Sequence, residues 1–583
     1  MSCRFEIKDD FYLDGEKVKI ISGSIHYFRI VPEYWRDRLE KLKMLGCNTV
    51  ETYIPWNFHE KEKGVFDFSG DRDVAGFVKL AQELGLWVIL RPSPYICAEW
   101  EFGGLPWWLL KEEGMRLRCN YEPFLKHVRE YYEKLFAVIA PLQITEGGPV
   151  IMMQVENEYG SYGNDHKYTE YLRDLMVECG CRVPLVTSDG FMEDMLNCGE
   201  VGGVQQTVNF GSKGRQQLTV LKKKVGDAKP LMCMEFWVGW FDSWGIPEHM
   251  GGDTRLHARD LEEILDMGHV NIYMFIGGTN FGFFNGSNYY EKLTPDVTSY
   301  DYDALLTEDG QLTEKYEAFR EVISRYVQIP QVKLSMDIKR KGYGALKVER
   351  STGLFPNLEN LTVPVNSLSP QSMEKLGQGY GYILYENELE STGDIGVIRL
   401  MDANDRANIF VDEKPVATLY DRELLEEHVF EEAVPKGEKL SVLVENMGRV
   451  NYGSRMEKQR KGVDGNVLVN GHQLYYWKQY CLPMEDLSGL DFEKPLAEGT
   501  PGFYEFTFEA QELGDTFLDF SGWGKGCVLV NGINIGRFWE IGPQKRLYIP
   551  APLLKKGKNT ILIFETEGKA PGEIRLEEEP LLG

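Results

Sequence analysis

The chain lacks long apolar runs. None of its 583 residues fall in an uninterrupted apolar stretch of about 18, the length a membrane-spanning helix needs. Its opening residues, MSCRFEIKDDFYLDG, hold no apolar h-region, so no secretory signal is expected. Positive charge is short as well: 64 Lys and Arg stand against 90 Asp and Glu, a formal net charge of -26. That balance excludes the basic stripe a nucleic-acid partner calls for and suits a neutral substrate. The dense basic runs, Lys222-Lys223-Lys224 and Lys458-Gln459-Arg460-Lys461, read as solvated loops or helix ends. The 10 cysteines are scattered, and the one close pair, Cys179-Gly180-Cys181, lacks zinc-knuckle spacing. Cys233 and Cys527 sit in apolar runs, where a thiol is a small buried hydrophobe. Reduced thiols and a cytoplasmic protein are the expectation. His26 and His59-Glu60 have no second ligand at metal spacing, and GGTNFG (277–282) lacks the Lys and Ser/Thr of a phosphate loop. No metal and no cofactor are expected.

Aromatics are abundant. There are 12 Trp and 30 Tyr, more than packing alone requires. Most belong to cores. Those left in a cleft would suit a ligand with apolar faces and polar edges, which describes a sugar.

The length calls for two to four domains. Between 18 and 320, short β-branched apolar runs alternate with helical stretches. The runs are 18–27, 48–56, 86–95, 149–159, 184–190, 201–210, 230–237 and 271–281; the helical stretches include 33–45 and 71–84. This alternation predicts a (β/α)8 TIM barrel. An open doubly wound sheet competes with it, but no G-x-G-x-x-G follows a first strand. After about 325 helical periodicity fades and short alternating strands take over, as in β-sandwiches or jelly rolls. ANIFVDEKPVATL (407–419) and GCVLVNGINIGRFW (526–539) each read as strand, turn, strand. The expected division is a barrel over 1–328, a connecting β segment over 329–374 that could pair with the C-terminal module, and jelly rolls over 375–480 and 481–583.

A barrel should carry its chemistry at the C-terminal ends of its strands. His26 and Tyr27, Tyr53 and Trp56, Glu99, Glu158 and Glu235 fall there, with Tyr273 in the eighth run. Two carboxylates across such a mouth can cleave a glycosidic bond, one as acid and one as nucleophile or base. In GPVIMMQVENEYGSYG, period-two alternation puts Glu156 and Glu158 on one side if the strand stays regular. Glu158, farther out, is the better acid, and Asn157 could hold a substrate hydroxyl. A lone Glu at a strand end is more often an ion-pair partner. Glu235, in LMCMEFWVGWFDSWG, interrupts an apolar strand and would be costly to bury unpaired. Trp237, Trp240 and Trp244 follow and could wall a sugar pocket.

Seven segments occur in order over residues 26–306: HYFR, GCNTVETYIPWNFHE, RPSPYICAEWEFGGLPWWL, GGPVIMMQVENEYGSYG, MEFWVGWFDSWG, YMFIGGTNFG and TSYDYDALL. Together they resemble glycoside hydrolase family thirty-five, the β-galactosidases on (β/α)8 barrels. GWGKGCVLVNGINIGRFWEIGPQKRLYIPAPLL (522–554) resembles that family's galactose-binding-like jelly roll. The resemblance implies Glu158 as acid/base and Glu235 as nucleophile. It implies galactose contacts at Tyr53, Cys97, Ala98, Glu99, Asn157, Tyr273 and Tyr302. Trp237 stands where many lysosomal members carry Tyr, and the resemblance is closer to intracellular bacterial members that prefer β-1,3 links. The implied partner is a galactose-terminated oligosaccharide, with no nucleic acid and no membrane; a homodimer is among the open assemblies. Another exo-β-glycosidase and a non-catalytic carbohydrate-binding protein are the competing readings.

Overall fold

The computed structural model describes residues 4–92, 94–389 and 393–583. Cys3, and Ser93 in the third apolar run, lie outside these; the other nine cysteines are free thiols.

The eight apolar runs form a closed parallel barrel. Its strands are β1 (Ile21–Ile25), β2 (Thr49–Tyr53), β3 (Trp87–Arg91), β4 (Val150–Gln154), β5 (Leu185–Gly190), β6 (Gln205–Phe210), β7 (Met232–Trp237) and β8 (His269–Ile276). They neighbour one another in chain order, and β8 closes the ring on β1 with Val270 opposite Ile21. Both faces of each strand are covered, which is why the runs are continuously apolar and do not alternate. Eight helices wrap them: α1 (Trp35–Leu45), α2 (Val74–Glu83), α3 (Glu122–Ile139), α4 (His166–Glu178), α5 (Glu193–Cys198), α6 (Gly214–Val225), α7 (Thr254–Met267) and α8 (Glu314–Ile323). Several start on a side-chain cap, such as Asp73 accepting from Gly76 N and Thr313 accepting from Tyr316 N. A small N-terminal sheet over Phe5–Lys17 covers the lower end, where Phe11 packs on His269 at the start of β8.

Two β-sandwiches follow. In the first, a six-stranded sheet holds Tyr382–Glu388, Arg406–Val411, Lys414–Tyr420, Lys439–Glu445 and Trp477–Leu482. A four-stranded sheet containing Ile395–Leu400 covers it, with Ile383, Tyr385, Val442 and Trp477 in the core between them. In the second, a five-stranded sheet built on Gly502–Ala510 and Gly557–Glu565 packs on a four-stranded sheet around Phe506, Trp523 and Ile561. The two look-alike segments are matching hairpins. Arg406–Val411 turns through Asp412-Glu413 into Lys414–Tyr420, and Lys525–Val530 turns through Asn531-Gly532 into Ile533–Trp539. All four turn residues have positive φ, as the tight turn favoured between twisted strands requires.

Residues 329–374 divide their strands between both sandwiches. Gly344–Lys347 and Arg350–Gly353 pair with Glu573–Glu577 and Gly502–Ala510 of the second. Val365–Ser367 pairs with Trp477–Leu482 of the first. The barrel is docked to both sandwiches by buried polar contacts. Arg449 of the first lies fully buried between Glu101 of the barrel and Glu374, 2.6 Å from each. Asp515 of the second accepts from Tyr34 of the barrel and from Tyr548, each at 2.6 Å.

Candidate active site

β4 stops at Gln154, and the chain then leaves the sheet. Glu156 (φ 55) and Glu158 (φ 47) are both left-handed, so the alternation that would have put their carboxylates on one side fails here. Glu156 turns into the wall. Its carboxylate accepts from Arg118 Nε and Nη2 at 2.9 Å each and from Tyr168 Oη at 3.1 Å. Glu158 turns the other way, at the head of the short helical turn Tyr159–Tyr162. Its N–H donates to Ser188 O on β5 at 2.9 Å, and its Oε1 accepts from Asn209 Nδ2 on β6 at 3.0 Å. Ser188 donates to Asn209 Oδ1 at 2.5 Å, which fixes the amide with its NH2 toward Glu158.

Glu235 is carried by an irregularity in β7, whose register against β6 shifts between Cys233 and Glu235. Such a bulge re-aims a side chain beside a site. The carboxylate is 5% exposed and fully partnered. Arg91 Nη2 and Tyr53 Oη lie 2.6 Å from its Oε1, and Trp237 Nε1 donates to Oε2 at 2.9 Å. Arg91 also donates to Gln154 Oε1 at 2.8 Å and to Asn157 Oδ1 at 2.7 Å. Short charge-assisted bonds offset the desolvation of both charges, although the buried Arg91 Nη1 makes no hydrogen bond among the described residues.

The electrostatics separate the two carboxyls. Burial, and then the negative charge of Glu235, push Glu158 up to about 8. Glu99 rises to about 7 through burial, against a hydrogen bond from Tyr300 and the charge of Arg29. Beneath them Glu51, buried in the barrel with Arg91 3.7 Å away, also rises to about 7 through burial.

Cys97, Ala98 and Glu99 form a run of three left-handed residues (φ 59, 56 and 47). Arg29 donates to Ala98 O at 2.5 Å, and Tyr300 Oη to Glu99 Oε2 at 2.6 Å. Asn451 Nδ2 lies 3.8 Å from Cys97 Sγ. Tyr273 Oη stands 3.3 Å from Tyr300 Oη, and the Tyr273 ring meets Tyr302 edge-on at 5.6 Å. Trp237 meets Trp240 edge-on at 5.9 Å, with Trp240 40% exposed. The buried His26 ring links the two halves, with Tyr53 at 5.6 Å and Tyr273 at 5.7 Å. Tyr53, Cys97, Ala98, Glu99, Asn157, Glu158, Glu235, Tyr273 and Tyr302 lie with Trp237 and Trp240 at the barrel's C-terminal end, whereas Tyr27 bonds to His59, Trp56 stacks on Tyr131 and Trp244 packs in the core of the second sandwich.

Sequence reasoning missed several members. Arg91 carried the same cue as Glu158, a charge closing an apolar strand. Asn209 also ends a strand but is uncharged. Tyr300 lies in a loop with no periodicity. Tyr452 had no local cue, because it comes from the first sandwich. Its hydroxyl stands beside Ser161 and within the field of Glu158 and Cys97.

A closed parallel barrel with a carboxyl group beyond the end of its fourth strand and another on its seventh is the frame of a glycoside hydrolase. Residues 10–326 match the model of glycosyl hydrolases family 35. The chain belongs to that family and is a glycoside hydrolase. Residues 370–483 match the "Beta-galactosidase, first all-beta domain" and 501–559 the "Beta-galactosidase, galactose-binding domain". The human protein "Beta-galactosidase-1-like protein 2" is 42% identical over 593 residues, covering 98% of this chain and 91% of its own. The "Beta-galactosidase" of Xanthomonas manihotis is 42% identical over 546 residues, covering 92% of this chain and 90% of its own. "Beta-galactosidase 17" of Arabidopsis thaliana is 38% identical over 617 residues, covering 97% and 88%. Animal and bacterial relatives stand at equal identity, so identity singles out no bacterial subgroup.

Proposed function

We propose that the chain is a retaining exo-β-galactosidase that removes terminal non-reducing β-D-galactose from oligosaccharides. In the first step a Glu235 oxygen bonds to the anomeric carbon as the glycosidic C–O bond breaks, and Glu158 gives its proton to the leaving oxygen. In the second, Glu158 takes a proton from water, and the water oxygen displaces Glu235 to release β-galactose. The observation that carries this reading is the contrast between the two carboxyls. Burial and the neighbouring charge keep a proton on Glu158 up to about 8, while Arg91 and Tyr53 grip Glu235 from 2.6 Å. An acid must still hold its proton at neutral pH, and a nucleophile must be held and aimed; two carboxyls with divergent environments meet both demands.

Galactose as the sugar is supported by the names of the relatives. Glu99 and Asn157 offer directional hydrogen bonds, which discriminate an axial from an equatorial hydroxyl. Cys97, Ala98, Tyr53, Tyr273 and Tyr302 complete the galactose contacts. Trp237 and Trp240 make a rigid slot for the leaving sugar. A fixed slot favours one linkage angle, and the reading takes it to be β-1,3, with an N-acetylhexosamine next in line.

A panel of nitrophenyl glycosides tests the sugar: galactoside turnover should dominate, and a preference for glucoside or glucosaminide refutes it. NMR of the first product tests stereochemistry, with β-galactose expected. Hydrolysis of lactose as fast as Gal-β-1,3-GlcNAc in kcat/KM refutes the slot alone.

A further inference from the structure

We infer a second carbohydrate-binding site, for a neutral glycan chain, on the first β-sandwich at the end turned away from the barrel. Tyr382, at the start of the central strand Tyr382–Glu388, packs edge-on against Phe283 of the barrel segment at 6.2 Å. The other end of that strand, roughly 20 Å along at about 3.4 Å per residue, borders a groove of about 860 Å³. The groove is therefore separate from the mouth that holds Glu158 and Glu235.

Two adjacent tyrosines line it, Tyr475 at 48% exposure and Tyr476 at 80%. Their backbone is fastened. Asn387 Nδ2 donates to Tyr475 O at 2.7 Å and to Tyr476 O at 3.2 Å, and Tyr476 N–H donates to Leu368 O at 2.9 Å. Tyr476 is also left-handed, at φ 67. A bulky residue held there is strained backbone. A ring this exposed returns almost nothing in burial, so folding stability does not explain its presence. The fastening instead leaves two aromatic rings at the surface, with the Tyr475 hydroxyl donating to Gln473 Oε1 at 2.9 Å, and such rings stack on a pyranose while Tyr and Gln polar groups bond its edges.

Charge selects the class of sugar. Among the described residues the groove's charged side chains are two carboxylates and two amines, and they pair: Lys439 with Glu386 at 3.3 Å and Lys478 with Glu388 at 3.9 Å. Each ammonium already has a carboxylate, so an anionic glycan meets no net attraction and a neutral one meets no repulsion. Such a site would hold the enzyme on a polymer while the barrel works at chain ends.

The test is native affinity electrophoresis through gels containing soluble β-1,3-galactan, with Glu235→Gln as the parent so that the polymer survives. The parent should be retarded, and adding Tyr475→Ala and Tyr476→Ala should raise the apparent Kd at least tenfold. In the otherwise wild-type chain, the two Ala substitutions should leave nitrophenyl galactoside turnover unchanged; that assay reports on the barrel reading separately. Tyr476→Gly relieves the left-handed strain, so it should keep or raise the thermal midpoint while losing retention. Equal retardation with and without the tyrosines overturns the proposal, as does an unretarded parent. So does a Tyr476→Gly variant that melts earlier yet is retained. A dimer in sedimentation velocity that dissociates on the Tyr substitutions would assign the groove to a second copy and overturn it too.

Discussion

Replacing Glu158 by Gln should stabilise the folded protein at alkaline pH and leave it unchanged at acid pH. Glu158 takes its proton at about 8 in the folded chain against an ordinary 4.5, through burial first and the charge of Glu235 second. A raised value means the native state binds the proton more tightly than the unfolded chain does. Below about 4.5 both states are protonated and the substitution is neutral. Between 4.5 and 8 the unfolded carboxyl ionises first, and native stability falls as pH rises. At 1.36 kcal/mol per pKa unit the ceiling is about 5 kcal/mol. Glu158 shares its shift with Glu235 and keeps some contact with water, so about 2 kcal/mol is the working figure. Gln keeps the acceptor for Asn209 Nδ2 and removes the charge. Calorimetry from pH 4 to 9 should show coincident barrel transitions at pH 4 and a gap of about 4 °C at pH 8.5, at roughly 2 °C per kcal/mol for a domain this large. In kcat/KM the wild type should lose activity above about pH 8, where the acid gives up its proton, and the variant should lose that limb. A midpoint gap that is the same at every pH, or one of opposite sign, refutes the reasoning, because packing and not charge would then be the cause.

Three further outcomes follow from the same geometry. Tyr53→Phe removes a hydrogen bond to a charged group, worth about 1.5–3 kcal/mol, and should lower kcat/KM by about 10–100-fold with little change in thermal midpoint. Arg118→Met removes the cation paired with buried Glu156 and should destabilise by about 3–5 kcal/mol, whereas Glu156→Gln should spare kcat; equal stability of Arg118→Met and wild type in urea titration refutes the ion-pair account. With Glu235→Gly, azide should yield α-galactosyl azide, and with Glu158→Gly the β-azide; swapped products exchange the two roles.

The barrel was legible because a parallel strand buried on both faces writes itself as an apolar run, and the eight runs are the eight strands. The hairpins at 406–420 and 525–539 were legible because strand and turn are both local. The divergence of Glu156 and Glu158 was not. Period-two reasoning assumes extended backbone, and two left-handed residues in three break it. That Glu158 lies farther along the chain than Glu156 was legible, because position along the chain, unlike orientation, does not depend on φ. Arg91 was passed over because its partners are Asn157 and Glu235, 66 and 144 positions away by residue number, and pairing at that range leaves no local pattern. The same holds for Asn451 and Tyr452, which reach the mouth from another domain.

That reach makes the barrel inseparable from the first sandwich. The left-handed run Cys97–Glu99 is strained backbone, which persists only where its surroundings over-determine it. Arg29 holds it from the barrel side through Ala98 O at 2.5 Å. From the sandwich side Asn451 O accepts from Tyr95 Oη at 2.7 Å, while Arg449 is ion-paired with Glu101, two residues past the run. Gly103 has no room for a Cβ, which would meet Tyr95 at 2.3 Å and Asn451 O at 2.9 Å. Cutting the chain after residue 328 would remove Asn451 and Arg449, break the ion pair to Glu101 and bare the apolar surface that the sandwich covers, Phe283 and Phe284 among it. The truncated barrel should therefore fold poorly and turn over nitrophenyl galactoside at least 100-fold more slowly. Adding residues 329–583 in trans should recover part of the rate. A soluble 1–328 chain with unchanged kcat/KM would show that the barrel alone fixes the Cys97–Glu99 turn, and that the sandwich loop merely lies against it.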